Sequence, residues 1–292
     1  MSIRFGLGIG GDVDPTALPG LVDGLEAADI DSLWFSEHLY SPAVDPFVGM
    51  AYALSRTERL KVGTSVAILP GRHPVLVAKQ LMSMSLLAPK RVLPVFGLQA
   101  GNKKERELFP VRGQRGAVFD ESLQLLREVL SADSVDFDGA HFQVSHASVR
   151  QGASRSIDIW LGGRVPAAFR RIGRYGDGWL GSFVTPTEAE AAVAAIHAAA
   201  AAADRTIDHD HFGITVLMTD GPASAELASS IAAQRPEVDP AKLVATSWPH
   251  LHRLIDDYID AGLSKFVVIP AGIASMSVFV DRFAAELLPR QT

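Results

Sequence analysis

Cysteine is absent from the 292 residues, which excludes disulfides, thiolate metal sites and a cysteine nucleophile. No apolar run reaches the ~18 residues that a membrane-spanning helix requires, so a membrane is not an expected partner. Lys and Arg number 27 against 33 Asp and Glu, for a formal charge of −6. The basic residues form no cluster able to meet a phosphate backbone, which argues against nucleic acid. GxSxG and Walker signatures are missing, and with them the usual hydrolase and NTPase routes. HExxH is missing too. His141, His146, His209 and His211 fall in irregular polar segments without ligand spacing, so no metal is expected. The chain moves from Met1-Ser2-Ile3-Arg4-Phe5 straight into a strand pattern, with no basic-then-apolar leader. A cytoplasmic protein is therefore expected.

What is present is apolar material in quantity, 48% of residues, arranged as strands alternating with helices. Strand patterns fall at Arg4–Ile9, Ser32–Ser36, Leu60–Ile68, Arg91–Leu98, Ser156–Leu161, Gly178–Gly181, Phe212–Met218 and Lys265–Ile269. Helical patterns follow them, three opening on Pro46, Pro74 and Pro166, where a missing N–H costs nothing. Eight βα alternations without a Pro/Gly/Ser linker predict one α/β domain over residues 1–292, a (β/α)8 TIM barrel with loop insertions. Ser131–Arg155, with Asp138-Gly139 inside it, has the character of an inserted hairpin.

The chemistry-bearing residues gather where strands end. Glu37 and His38 close the apolar run Ser32–Ser36, at the carboxyl end of an early strand, where α/β barrels place their reactions. Histidine moves protons near neutral pH, and an adjacent carboxylate would orient it. The run from Gly6 to Gly11 matches GxGxxG, but Asp12-Val13-Asp14-Pro15 stands where a Rossmann fold opens its helix. Glycines such as Gly6 are instead expected to let a flat ligand approach the first strand. Val62-Gly63-Thr64-Ser65-Val66 ends in small residues, as a strand backing a planar group would. Leu161-Gly162-Gly163-Arg164-Val165-Pro166 joins a strand to a helix N-terminus. Backbone N–H groups there, with Arg164, are suited to an anion.

In this order the motifs resemble the bacterial luciferase-like superfamily, and within it the coenzyme F420-dependent oxidoreductases. The resemblance rests on Trp34-Phe35-Ser36-Glu37-His38, Gly63-Thr64-Ser65-Val66, Arg72-His73-Pro74, Leu161-Gly162-Gly163, Gly176-Asp177-Gly178-Trp179 and Leu288-Pro289, which span nearly the whole chain. It implies a barrel that binds F420, or alternatively FMN, at the carboxyl ends of its strands. It implies a cis peptide at Ser65-Val66 behind the ring, phosphate held by Gly162 and Gly163, and His38 as proton acceptor beside Glu37. Members of that superfamily commonly form dimers, so a homodimer acting on a small molecule is expected. Where they carry Gly-Val-Gly-x-Gly, this chain has Val95-Phe96-Gly97-Leu98-Gln99. The acid that follows in sugar-phosphate enzymes falls on Ala100 or Asn102, which argues against glucose 6-phosphate oxidation. Gln99 and Asn102 are expected to hydrogen-bond the ring edge or the ribityl chain. Three activities follow from the resemblance: an F420-dependent hydride transfer, an FMN-dependent monooxygenation, or flavin binding with little catalysis.

Overall fold

The computed structural model describes residues 2–11, 13–149 and 157–292. Strand β1 (Arg4–Ile9) leads through α1 (Leu18–Ala27) to β2 (Ser32–Phe35) and α2 (Pro46–Arg56). Two short segments follow, β3 (Lys61–Thr64) and β4 (Ala67–Ile68), then α3 (Pro74–Leu87). Another split pair, β5 (Val92–Leu93) and β6 (Val95–Gly97), precedes α4 (Arg115–Ser131). The insertion is the expected hairpin, β7 (Val135–Asp138) against β8 (Gln143–Ala147), antiparallel. Its last residues, and the predicted strand start at Ser156, lie outside the described residues. The chain continues as β9 (Trp160–Gly162), α5 (Pro166–Tyr175), β10 (Gly178–Ser182), α6 (Pro186–Ala201) and β11 (Phe212–Met218). After α7 (Ala225–Gln234) comes β12 (Val244–Ala245), a short strand on the edge of β11 that the sequence pattern does not reveal. Then α8 (Trp248–Asp260), β13 (Lys265–Pro270) and α9 (Met276–Leu287) complete the order. Among the described residues no helix is long and apolar enough to cross a membrane.

The ring closes in parallel. β1 pairs with β2 and β13, β2 with β3, and β11 with both β10 and β13. β9 joins β10 to β6, while β3 pairs with β5 and β4 with β6. Because β3–β4 and β5–β6 are consecutive halves of two strands, the circuit counts eight, as the alternation predicts. The split has a local cause. Gly63 stands opposite Leu93 and Ala67 opposite Phe96, so one strand carries an extra residue between them, a bulge. Pro94 has no N–H to offer the ladder. The buried Thr64 hydroxyl replaces the lost pairing, donating to the Val95 carbonyl at 2.6 Å and accepting the Val95 N–H at 2.8 Å.

Alternation along the strands separates two cores. Phe5, Leu7, Leu33, Phe35, Phe266 and Val268 face the helices, whereas Trp34, Val95, Trp160, Leu180 and Val267 fill the barrel. Gly6 belongs to that interior, and this corrects its expected contact with cofactor. A Cβ at Gly6 would lie 2.5 Å from Nε1 of Trp34 and 2.4 Å from Oγ of Ser32, so the glycine makes room for the indole. At the amino end of the barrel Asp31 meets Lys61 at 2.6 Å and Lys265 at 3.4 Å. Burial raises the Asp31 carboxyl, but the two ammonium groups outweigh it and hold its pKa below the usual carboxylate value.

Gly6→Ala is expected to destabilise the fold by about 1–3 kcal/mol through overpacking, with cofactor affinity unchanged when urea denaturation and ligand titration are run on one preparation. The depressed Asp31 pKa means its charge stabilises above the unfolded value of 3.8 and ceases to do so as pH falls through the folded one. Urea melts of Asp31→Asn against wild type should therefore differ most at neutral pH and converge in acid.

Candidate active site

The carboxyl ends of the barrel strands surround a cavity of about 310 Å³. Its wall takes Gly10 from beyond β1, Ser36, Glu37 and His38 from beyond β2, and Ser65 and Val66 from the bulge. Gln99, Ala100 and Gly101 contribute from beyond β6, while Phe183, Thr215 and Ile269 close the far side. His38 is exposed at this opening, and the ring of His38 lies 3.3 Å from where a Cβ on Gly11 would stand. The glycine run of the first strand thus serves the site through its far end, Gly10 and Gly11.

Glu37 takes a different part from the one its neighbour suggests. Its side chain is 1% exposed and paired with Arg72. Nη1 of Arg72 donates to Oε2 at 3.0 Å, and Nη2 donates to Oε1. The Ile68 N–H adds a third bond at 2.7 Å. His38 is not among its hydrogen-bond partners, so the expectation that Glu37 orients the imidazole is corrected. The carboxylate is instead a bracket that ties the end of β2 to β4 and to the turn before α3. Arg72 is held in turn by the Phe47 and Phe109 rings, with centroids 5.6 and 5.0 Å from its guanidinium carbon, and by a bond to the Ile68 carbonyl. A planar guanidinium suits this combination of fork and stacking.

The bulge residues carry the backbone feature that the resemblance implies. The Ser65–Val66 peptide is cis. Ser65 donates its N–H to the Phe35 carbonyl at 2.8 Å, and its hydroxyl lies 3.2 Å from that of Ser36. Val66 wedges between two glycines. A Cβ at Gly97 would come within 2.7 Å of Cγ2 of Val66, and one at Gly162 within 3.1 Å of Cγ1. Gln99 reaches the cavity, whereas Asn102 does not. The Asn102 amide oxygen accepts the Lys104 N–H at 3.0 Å and closes an exposed turn, so its expected contact with a ring edge is corrected.

Gly162, Gly163 and Arg164 form a second locus beside the cavity rim. Gly163 has φ +131°, a left-handed conformation that favours glycine, and its carbonyl accepts the Trp179 indole N–H at 2.8 Å. Residues 163–167 are exposed, and the first turn of α5 carries no side-chain cap. Uncapped N–H groups beside an arginine are a donor set that fits a phosphate. Arg164 also donates to the Gln234 carbonyl at 3.0 Å, which links this locus to the cavity wall, since Gln234 lines it.

The loop from Phe183 to Thr187 is expected from the sequence to shape the pocket, and Phe183 does line it, but the sequence reading missed Arg235. Phe183 has φ +54°, unusual for a bulky residue, and Arg235 donates to its carbonyl while pairing with Glu188 and Glu237 at 2.6 Å each. No local motif announces this arrangement, because Arg235 lies 52 residues from Phe183. Replacing Arg72 with Met would strand a buried carboxylate, and a loss of about 3–5 kcal/mol is expected in denaturant unfolding. Arg72→Met combined with Glu37→Gln should recover part of that loss, and equal destabilisation of single and double variants would contradict the bracket.

Known proteins share this sequence pattern and this fold. The chain is 27% identical to an F420-dependent glucose-6-phosphate dehydrogenase of Beutenbergia cavernae, over 91% of this chain and 90% of that protein. Its fold superposes on an F420-dependent secondary alcohol dehydrogenase solved with an F420–acetone adduct, TM-score 0.80, 15% identity, covering 98% of each chain. It superposes equally on the monooxygenase RslO1 of Streptomyces bottropensis, TM-score 0.80, 18% identity, covering 99% of each. The family model of luciferase-like monooxygenases matches residues 1–254, and the chain belongs to that family.

Proposed function

We propose that this protein is an oxidoreductase that uses coenzyme F420 and moves a hydride between the deazaflavin and a small organic substrate, with His38 handling the accompanying proton. The observation that carries the reading is the meeting of His38, Ser65, Val66 and Gln99 on one cavity at the carboxyl end of the barrel, in a chain whose curated relatives include F420-dependent dehydrogenases. The cofactor, when bound, supplies a two-electron carrier that accepts or returns hydride at its ring. Ser65 and Val66 would back that ring, Gln99 would meet its edge, and Gly162, Gly163, Arg164 and the α5 N-terminus would hold its phosphate.

His38 is the one imidazole on the cavity wall among the described residues. Its ring nitrogen takes the proton from a substrate hydroxyl as hydride leaves the adjoining carbon, and returns it in the reverse direction. Glu37 acts at one remove, by fixing the turn from which His38 projects. Val66 gives the site an apolar floor that keeps water from the reacting carbon.

Three measurements on one preparation test the reading. F420 should bind with an affinity at least ~10-fold above that for FMN. His38→Ala should retain F420 binding and its melting temperature yet lose ~10²–10⁴-fold in kcat. Gly163→Val should weaken F420 affinity by disturbing the α5 N-terminus, where a Cβ would meet that of Ala168 at 2.5 Å. Preferential binding of FMN, or full turnover by His38→Ala, would contradict the reading.

A further inference from the structure

Four arginines surround the cavity, and each turns its guanidinium to a backbone carbonyl of the wall. Arg72 donates to the Ile68 carbonyl, and Arg235 to that of Phe183. Arg106 donates through Nε to the Ala100 carbonyl at 2.9 Å and through Nη2 to that of Gly101 at 3.2 Å. Arg164 donates to the Gln234 carbonyl at 3.0 Å. All five carbonyl-bearing residues line the cavity. Two of the arginines are also neutralised by carboxylates, Arg72 by Glu37 and Arg235 by Glu188 and Glu237.

The result is a wall supported from behind by cations and uncharged on its inner surface. Among the described residues, the only ionisable side chains lining the cavity are Glu37, whose charge Arg72 compensates, and His38. The remaining polar groups are hydroxyls and amides, those of Ser36, Ser65, Gln99, Ser182, Thr215 and Gln234. With Arg164 and the α5 N-terminus taken by the cofactor phosphate, a phosphate monoester seated on this wall would give up its hydration without gaining a charge partner, and an unpaired buried charge is strongly disfavoured. A neutral hydroxyl or carbonyl needs only the hydrogen bonds that Ser36, Ser182, Thr215 and Gln234 supply beside the ring.

We infer that the substrate is a small uncharged alcohol, or the corresponding ketone or aldehyde, and not a sugar phosphate. This rests on the F420 reading above. In the oxidative direction the carbinol C–H bond breaks and its hydrogen leaves with both electrons as hydride to the F420 ring. The O–H bond breaks as its proton passes to the His38 imidazole, and the C=O bond forms. The alcohol is oxidised by two electrons and the cofactor is reduced by two. Curated relatives at 27% identity bear the name of glucose-6-phosphate dehydrogenase, so the inference separates this chain from them by the charge of its cavity.

The test uses the F420-loaded protein, with loading established first by titration. Steady-state assays compare 2-propanol and cyclohexanol with glucose 6-phosphate, and calorimetry titrates glucose 6-phosphate into the loaded protein. A kcat/KM for a neutral alcohol at least ~100-fold above that for the sugar phosphate is expected, with no binding isotherm for the sugar phosphate at millimolar concentration. Thr215→Lys, which would set a cation on the inner wall, is expected to slow alcohol oxidation and create measurable glucose 6-phosphate binding. Comparable or faster turnover of glucose 6-phosphate by wild type, tight binding of it, or turnover of neither class by loaded protein overturns the inference. Failure of F420 to bind at all overturns the proposed function instead, which keeps the two apart.

Discussion

The Glu37–Arg72 pair is the interaction on which the carboxyl face of this barrel depends. One buried carboxylate receives both arms of a guanidinium and the N–H of Ile68, so the ends of β2 and β4 and the turn before α3 share a single anchor. Burying two charges is costly unless each finds geometry of this quality. Here the fork is bidentate and the guanidinium is stacked between Phe47 and Phe109. His38, one residue beyond the anchor, inherits a fixed backbone while its ring stays free at the opening. The neighbouring turn is secured in the same way, by the buried Glu105 accepting the Tyr40 N–H at 3.0 Å.

The same device recurs around the cavity. Arginines at positions 72, 106, 164 and 235 reach carbonyls at the end of β4, in the loop after β6, at the end of α7 and in the loop after β10. Loops carry the chemistry of a barrel but lack ladder hydrogen bonds of their own. Charge-assisted bonds to their carbonyls supply rigidity without placing charge on the inner surface. Shape and polarity of the site therefore come from one set of residues, and its support comes from another.

Much of this was legible in the sequence. The strands Arg4–Ile9 and Phe212–Met218 coincide with their predicted limits, and α2, α3 and α5 open on Pro46, Pro74 and Pro166 as predicted, because apolar runs and N1 prolines are local signals. The split of two strands was not legible, since it arises from a register shift between Thr64 and Val95 that involves residues 31 apart. Gly6 misled for the same reason. A glycine that admits an indole from the neighbouring strand reads the same as one that admits a ligand. Asn102 misled because spacing along a loop does not fix which residues turn inward. Glu37 and His38 were found together, but adjacency in sequence put them in one role, whereas Glu37 turns inward to Arg72 and the Ile68 N–H and His38 stays exposed at the opening.

The measurement that bears most directly on the account is a crystal structure of the protein grown with F420. The account predicts the deazaflavin ring against Ser65 and Val66 with His38 at its reacting side, its phosphate at Gly163 and the α5 N-terminus, and the Glu37–Arg72 pair unbroken behind it. A ring seated elsewhere, for example in the cavity between α1 and α9 lined by Leu21, Gly24 and Val280, would contradict it.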